Sequence, residues 1–482
     1  MNLVKNNLNK IPNDMNKNLA GLIFIIIITS SISTFFLVFD KDVPRYYSLL
    51  PILPCSFGLI SCIFANIYSF FLKSISITII TSTYFIRFVI IPICLSVGGF
   101  STKVVNIDAY SYIEYAILLM VFELFVVYCY LSLNTGRYLN YRKNNQIEIT
   151  IKENNTKSSL LFRFIIISLF LYVVFVLIRY PEEFSYLGLF TQFSESDRIL
   201  SAKNRLYAVQ IVPGIIDTFY TLFISILQVF IPILCIQTIK KKYGMKNKKR
   251  AANLSILVVL CTAIIMTSEK AYSVTIAISL FLIIFNLYPS LMKKRAPYLI
   301  MIMIVFVFGG LIFKSGANQS DDFLAEVSTI LNAYFSGPIN IAVSFMLKND
   351  ITLNIIFSDL GNSIPLVKYF FQDLNTSPKL FNLALYGNKD NSDQIIPLLG
   401  QGYFYFGFLI APILTVIVVK IALILERLVH LEKNLFTKYI YIHAVVILSL
   451  VPVLYNLNIM INSLLLLAIT LFIAKSSKNK LI

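Results

Sequence analysis

Long apolar segments alternate with short polar gaps along almost the whole chain. A helix needs about 20 mainly apolar residues to cross roughly 30 Å of hydrocarbon, and twelve segments reach or approach that length. The pattern therefore predicts an all-α polytopic integral membrane protein that forms one domain over residues 1–482. The predicted spans are 20–39, 49–71, 75–97, 111–133, 159–178, 211–237, 252–267, 271–288, 298–313, 404–425, 439–457 and 459–474.

Charge is distributed unequally between the gaps on the two sides of these spans. The gaps on one side hold 25 Lys and Arg residues against five acidic residues, whereas the opposite gaps hold 13 cations and 16 anions. Cationic loops stay in the cytoplasm because they are translocated poorly. Both termini and a basic loop at about 238–250 are therefore expected in the cytoplasm, with a loop at about 179–210 and a long loop at about 315–403 outside.

Composition excludes several other classes of protein. A chain that is 57% hydrophobic and 13% charged has too much apolar surface for a soluble protein of 482 residues. The net charge of +17 is accounted for by the cytoplasmic gaps, so no nucleic-acid partner is expected. All six cysteines fall inside predicted spans and none lies in the long outer loop, so neither disulfides nor a cysteine metal site is expected.

The long outer loop begins with two predicted amphipathic helices. From Asp322 to Phe335 the apolar residues recur on one helical face. Ser336-Gly337-Pro338 ends this helix, and Ser336 or Gly337 is expected to cap a second helix with Pro338 in its first turn, continuing over Ile339–Leu347. Such helices lie on the bilayer surface or cover a cavity between membrane helices. Residues 350–394 are more polar and rich in turn residues.

Histidine is the first candidate for an outer general base, but the positions of both histidines exclude it. His430 falls in a predicted cytoplasmic loop, and His443 falls about five residues inside the cytoplasmic end of a span. An enzyme that acts outside would therefore use a carboxylate or another group as its base.

A short outer turn, Ser268-Glu269-Lys270, connects two short predicted spans. These spans have sixteen and eighteen residues and extend about 24 and 27 Å, less than the hydrocarbon thickness, so the turn is expected below the outer membrane surface. Lys270 is there either a phosphate ligand in a water-filled cavity or half of a Glu–Lys pair at the interface. Arg198 and Arg205 lie in the second outer loop, and their planar guanidinium groups suit a diphosphate.

Charge inside an apolar span marks function by default, and four of the charged residues inside the spans are candidates. Glu123 and Lys420 are either functional residues or structural partners. Arg87 lies in the middle of its span and is expected to hold a lipid phosphate or to bridge helices. The four residues are Arg87, Glu123, Asp217 and Lys420.

Three short stretches resemble one family, the bacterial oligosaccharide repeat-unit polymerases (O-antigen polymerases of the Wzy type). Residues 266–272 occupy the place of that family's short outer turn, with Lys270 where Arg is usual. Residues 334–338 look like its outer loop, and Gly400-Gln401-Gly402-Tyr403-Phe404-Tyr405-Phe406-Gly407 matches the stretch after that loop. The resemblance covers most of the chain in layout, but only these stretches in sequence.

The resemblance implies a glycosyltransferase that moves a growing glycan from undecaprenyl diphosphate to the non-reducing end of a new lipid-linked unit. It would act at the outer face of the bacterial cytoplasmic (inner) membrane without cofactor, metal or nucleotide sugar. Its partners would be undecaprenyl-diphosphate-linked oligosaccharide, membrane lipid and, by family analogy, a chain-length regulator protein. The implied residues are Lys270, Arg205, Arg198 and Arg87 for the diphosphate; one of Asp321, Asp322, Glu326 and Asp393 as base; and Tyr334, Tyr403 and Tyr405 for glycan, unless these tyrosines are interfacial anchors.

Two rival functions remain open on the sequence. A flippase for the same lipid-linked units would have about as many helices, and the intramembrane charges favour it, whereas the long outer loop does not. Another polyprenyl-dependent glycosyltransferase fits the same layout. An O-antigen ligase fits less well, because that family relies on an outer-loop histidine. The residues leave three products open, namely O-antigen, capsule and exopolysaccharide.

Overall fold

Helices form all the regular secondary structure in the part of the chain that the computed structural model describes. That part comprises residues 13–100, 102, 104, 106–144, 160–179, 214–244, 246–265, 270–292, 323–347, 353–365, 367–371, 375–387 and 394–476. The first nine helices are α1 (Asn13–Phe39), α2 (Ile52–Ile63), α3 (Ile75–Phe85), α4 (Ile91–Val97), α5 (Ile113–Asn144), α6 (Leu160–Arg179), α7 (Gly214–Tyr243), α8 (Lys248–Ile265) and α9 (Lys270–Leu287). The others are α10 (Phe323–Tyr334), α11 (Pro338–Met346), α12 (Leu353–Asn362), α13 (Ser377–Tyr386), α14 (Leu398–Phe406), α15 (Ala411–Leu431), α16 (Leu435–Leu454) and α17 (Leu457–Ser476).

Seven helical segments of the described residues are long and apolar enough to cross a membrane, which confirms an all-α, multi-pass membrane protein. Two further apolar helices, within α6 and α9, are shorter. The predicted span 298–313 lies outside the described residues. The seven segments are Leu19–Phe39, Arg45–Ile63, Ile75–Val97, Ile107–Asn134, Thr218–Tyr243, Leu435–Leu454 and Leu457–Lys475.

The predicted span 404–425 is wrong in its boundaries. Gly407 has φ +77°, a backbone conformation that side chains with a Cβ rarely adopt, and it ends α14 at Phe406. A new helix, α15, starts at Ala411 with Pro412 in its first turn and continues to Leu431. The stretch Gly400–Gly407 therefore forms a separate helix before the span.

Two hydrophobic cores pack side by side in the bundle. The first is built from α1 to α5 with the loop helices α11, α13 and α14, and the second from α6 to α9 with α16 and α17. Helix α15 contributes side chains to both cores and packs on α16. We call the end formed by residues 40–51, 98–100, 106–112 and 455–457 the loop end, and the end formed by residues 71–74 and 432–434 the basic end.

Helices α10 and α11 form a hairpin that enters the bundle at the loop end. Helix α10 packs along α4, and α11 packs against α5, α14 and residues 107–112. The two helices and the start of α11 at Pro338 are as predicted, with Gly337 as N-cap. However, α11 is buried on all sides from Pro338 to Phe345, so of the two expected locations the bilayer surface does not apply to it. Its apolar and small residues fill the first core instead.

Residues 350–394 are more helical than their composition indicates. Helix α12 covers Leu353–Asn362, and α13 covers Ser377–Tyr386. The side chain of Thr376 caps α13 by accepting from the backbone N–H of Lys379, and Gly387 ends it in the left-handed conformation (φ +69°). These are ordinary start and stop signals, and Pro378 and Gly387 belong to a helix that the turn-rich composition hides.

Glu426, one of the five acidic residues counted in the cytoplasmic gaps, is a buried helix cap. Its carboxylate accepts from Ser74 Oγ (2.7 Å) and from the backbone N–H groups of Ile75 (2.6 Å) and Ser76 (3.2 Å). These groups lie at the N-terminus of α3, where an anion is favoured by unpaired N–H groups and the helix dipole. The contact joins α15 to α3 across 350 positions of sequence, which explains why the local pattern misses it.

Candidate functional site

A buried carboxylate, Asp359, lies at the centre of a polar cluster at the loop end. The Asp359 side chain is 1% exposed. Its Oδ1 accepts from the backbone N–H of Ser377 (2.9 Å), and its Oδ2 accepts from the Tyr405 hydroxyl. The Nδ2 of Asn458 donates to the Asp359 carbonyl oxygen (3.0 Å). This cluster therefore joins α12, α13, α14 and α17.

Gln401 is the hub of the same cluster. Its Nε2 lies 2.7 Å from the Tyr405 hydroxyl, 2.8 Å from Asn458 Oδ1 and 3.0 Å from Ser377 Oγ. Its Oε1 accepts from the backbone N–H of Leu457 (2.8 Å), which fixes the orientation of the amide. Gln401 thus connects α13 and α14 to the turn between α16 and α17.

The glycines that flank Gln401 allow α14 to approach its neighbours closely. A Cβ on Gly402 would lie 2.6 Å from the carbonyl oxygen of Ala411, and a Cβ on Gly400 would overlap the Ser344 hydroxyl of α11. Tyr403 stacks on Phe345 of α11 with ring centroids 4.0 Å apart. The residue types of the stretch Gly400–Gly407 are therefore explained by packing at this end of the bundle.

The buried side of helix α12 is partly polar. Ser358 and Asp359 are buried beside Ile355, whereas Phe357 is 64% exposed and Leu360 is also exposed. Polar groups that face the inside of a membrane protein need partners there, and the cluster around Asp359 provides them.

The surroundings of Asp359 also act on Tyr405. Burial, and then the neighbouring Asp359 carboxylate, raise the pKa of the Tyr405 hydroxyl above its usual value. Tyr405 therefore stays protonated and donates its hydrogen bond to Asp359 at physiological pH. A neutral tyrosine that donates to a buried carboxylate spreads its negative charge and makes burial less costly.

A second polar centre is the ion pair of Arg87 and Glu123 inside the bundle. Both side chains are fully buried, and Arg87 Nη1 lies 2.8 Å from Glu123 Oε2. Thr415 Oγ1 donates to Glu123 Oε1 (2.6 Å), and Arg87 Nε donates to the carbonyl oxygen of Ser336 (3.0 Å). The pair thus connects the helices around it to the turn of the α10–α11 hairpin.

The backbone around this ion pair is irregular on both sides. Arg87 lies in a π-helical turn, Ile86–Ile90, between α3 and α4. Ser336 has φ +53°, an unusual value for a residue with a Cβ, and its hydroxyl donates to the Val453 carbonyl oxygen (2.5 Å). Irregular backbone of this kind persists where the surroundings hold it in place, and it concentrates at functional positions.

The structure places only some of the predicted site residues. Of the four predicted diphosphate ligands, the Arg87 side chain is the one described; it is engaged by Glu123 and Ser336, as the helix-bridging alternative expects. Lys270 is the first residue of α9, and nothing is described of its side chain. The positions outside the described residues are Arg198, Arg205, Asp321, Asp322 and Asp393.

The remaining predicted residues fall into three different environments. Glu326 is half-buried on α10, and Tyr334 at the end of that helix is 46% exposed. Tyr403 and Tyr405 are both buried. Of these, Tyr405 contacts the Asp359 cluster, which sequence reasoning missed. The signal that was available is the polar pair Ser358-Asp359 beside Phe357 and Leu360 in a segment bounded by turn residues.

Comparison with known proteins finds no matching family model, no similar curated protein and no similar solved structure.

Proposed function

We propose that this protein is a polymerase of polyprenyl-diphosphate-linked oligosaccharide repeat units that acts on the side of the membrane opposite its basic loops. The observation that carries the proposal is the position of the stretch Gly400–Gly407. It forms its own helix, α14, whose Gln401 and Tyr405 face a buried carboxylate at the loop end. A loop that only connected two spans would not need a charged group inside it.

The chemistry required by the proposal calls for residue types that the candidate residues supply. Transfer of a glycan from a diphosphate needs cations near the leaving group and a base near the attacking hydroxyl. Lys270, Arg198 and Arg205 remain our proposed diphosphate ligands. Asp359 joins Asp321, Asp322, Glu326 and Asp393 as a proposed base.

The position of the intramembrane charges fits a polymerase better than a flippase. A transporter would place its intramembrane charges along a path for substrate. Arg87 and Glu123 instead pair with each other and with Ser336 and Thr415, inside the protein. This arrangement fits a bridge that holds the loop hairpin.

The surface glycan of cells that lack this protein tests the proposal. Complementation with the wild type is expected to restore a ladder of polymer on a gel, whereas Lys270→Ala and Asp359→Asn leave one repeat unit. Asp42→Asn is the matched control, because Asp42 is an exposed carboxylate at the same end. Protein amounts are compared by immunoblot.

Two results would contradict the proposal. If the cells without the protein bring no repeat unit to the surface, the protein moves units and does not join them. If those cells make a full-length ladder, the protein has no part in polymerisation.

A further inference from the structure

Helix α15 presents a lysine on its exposed side. Lys420 is exposed, and no described carboxylate pairs with it. Helix α15 packs on α16, α5 and α3, which lie in or form segments able to cross a membrane. Lys420 lies nine residues from Ala411 and six from Glu426, which caps α3 at the basic end; these are about 13 Å and about 9 Å along the helix axis.

Lys420 lies too far from either end of the bundle for its ammonium group to reach the membrane interface. A lysine near a helix end extends its ammonium group to the membrane interface, but the side chain reaches only about 6 Å. Neither Ala411 nor Glu426 is within that distance of Lys420. A charged group that faces hydrocarbon is costly, so this position requires an anionic neighbour.

The residues around Lys420 form a regular seam. Ile413, Ile417, Ile424 and Leu431 are each about half exposed, although they lie on the same helix as buried residues. Together with Lys420 and the half-buried Arg427, they are separated by four, three, four, three and four residues. This is the heptad spacing by which one helix packs along another, and a polar residue within such a seam fixes its register. The seam residues are Ile413, Ile417, Lys420, Ile424, Arg427 and Leu431.

We propose that this seam binds a transmembrane helix of a partner protein that carries an Asp or Glu side chain at the level of Lys420. Charge complementarity identifies the partner, because both polar positions of the seam, 420 and 427, are cationic. A second copy of this chain fits poorly. Two copies lie in the same orientation in the membrane, so a symmetric pair on this seam would bring Lys420 against Lys420.

Cross-linking to a synthetic helix tests this seam directly. The full-length protein, with a photoreactive amino acid in place of Ile417, is reconstituted in phosphatidylcholine vesicles with Leu-rich transmembrane peptides. The peptides carry Glu, Gln or Lys at their centre and are otherwise identical. A second version carries the photoreactive group at Ile32, an exposed residue of α1, and controls for chance encounters in the bilayer.

The Glu peptide is expected to cross-link at position 417 about tenfold more than the Gln or Lys peptide. The Lys420→Met variant should lose this preference, because it keeps the length and apolar body of the side chain without its charge. Equal yields for the three peptides, a preference that survives Lys420→Met, or the same preference at position 32 would overturn the proposal. Cross-links confined to one chain, or to a dimer of this chain, would also overturn it.

Discussion

Replacing Glu123 by leucine is expected to lower the free energy of unfolding by about 3–5 kcal/mol. Both side chains of the ion pair are fully buried in the wild type. The variant therefore leaves the buried Arg87 guanidinium without its counter-charge. It also removes the acceptor of the Thr415 hydroxyl. Reversible unfolding of the purified protein in micelles, compared with the wild type, measures the effect.

The double variant Arg87→Met/Glu123→Leu is the control for this interpretation. It removes both charges, so it should be more stable than Glu123→Leu alone, even though the Ser336 carbonyl loses its donor. If Glu123→Leu changes stability by less than about 1 kcal/mol, or the double variant is the less stable of the two, the ion pair does not hold the hairpin turn as described.

Replacing Gly402 by alanine is expected to lower the free energy of unfolding by about 3 kcal/mol. This is the upper end of the usual cost of adding a methyl group to a packed core. The added methyl group would lie 2.6 Å from the Ala411 carbonyl oxygen and 3.2 Å from its Cα. Both are backbone atoms that cannot rotate away, so α14 and α15 must separate. Thermal unfolding of the purified protein, followed by loss of helical circular dichroism, measures the change.

Gly21→Ala is the matched control, because a Cβ on Gly21 meets nothing within 4 Å. Gly21 lies inside α1, where alanine has the higher helix propensity, so this variant should be neutral or slightly stabilising. Equal unfolding temperatures for the two variants would show that the contact between α14 and α15 is looser than described.

The sequence predicted those parts of the fold that depend on local pattern. The spans follow from the length of apolar segments, and α10 and α11 follow from the spacing of apolar residues and from Pro338. The break at Gly407 was missed because the apolar pattern runs through it. Its positive φ depends on how α14 packs against α15.

The candidate site was less accessible to sequence reasoning than the fold. Arg87 and Glu123 stood out as charges in apolar spans, but their pairing joins positions 36 residues apart and depends on helix packing. Asp359 was not selected, because its helix was hidden among turn residues and its buried side carries Ser358 and Asp359 next to the exposed Phe357. Its contact with Tyr405 links positions 46 residues apart, and no local pattern encodes it.

Polymerisation by the purified protein tests the central claim most directly. The protein would be reconstituted in vesicles with polyprenyl-diphosphate-linked repeat units from cells that lack it, in the presence of a metal chelator and without nucleotide sugar. We predict a ladder of lipid-linked products, each one repeat unit longer than the last, with release of polyprenyl diphosphate. Units that cross the membrane but stay unjoined would contradict the account and favour a flippase.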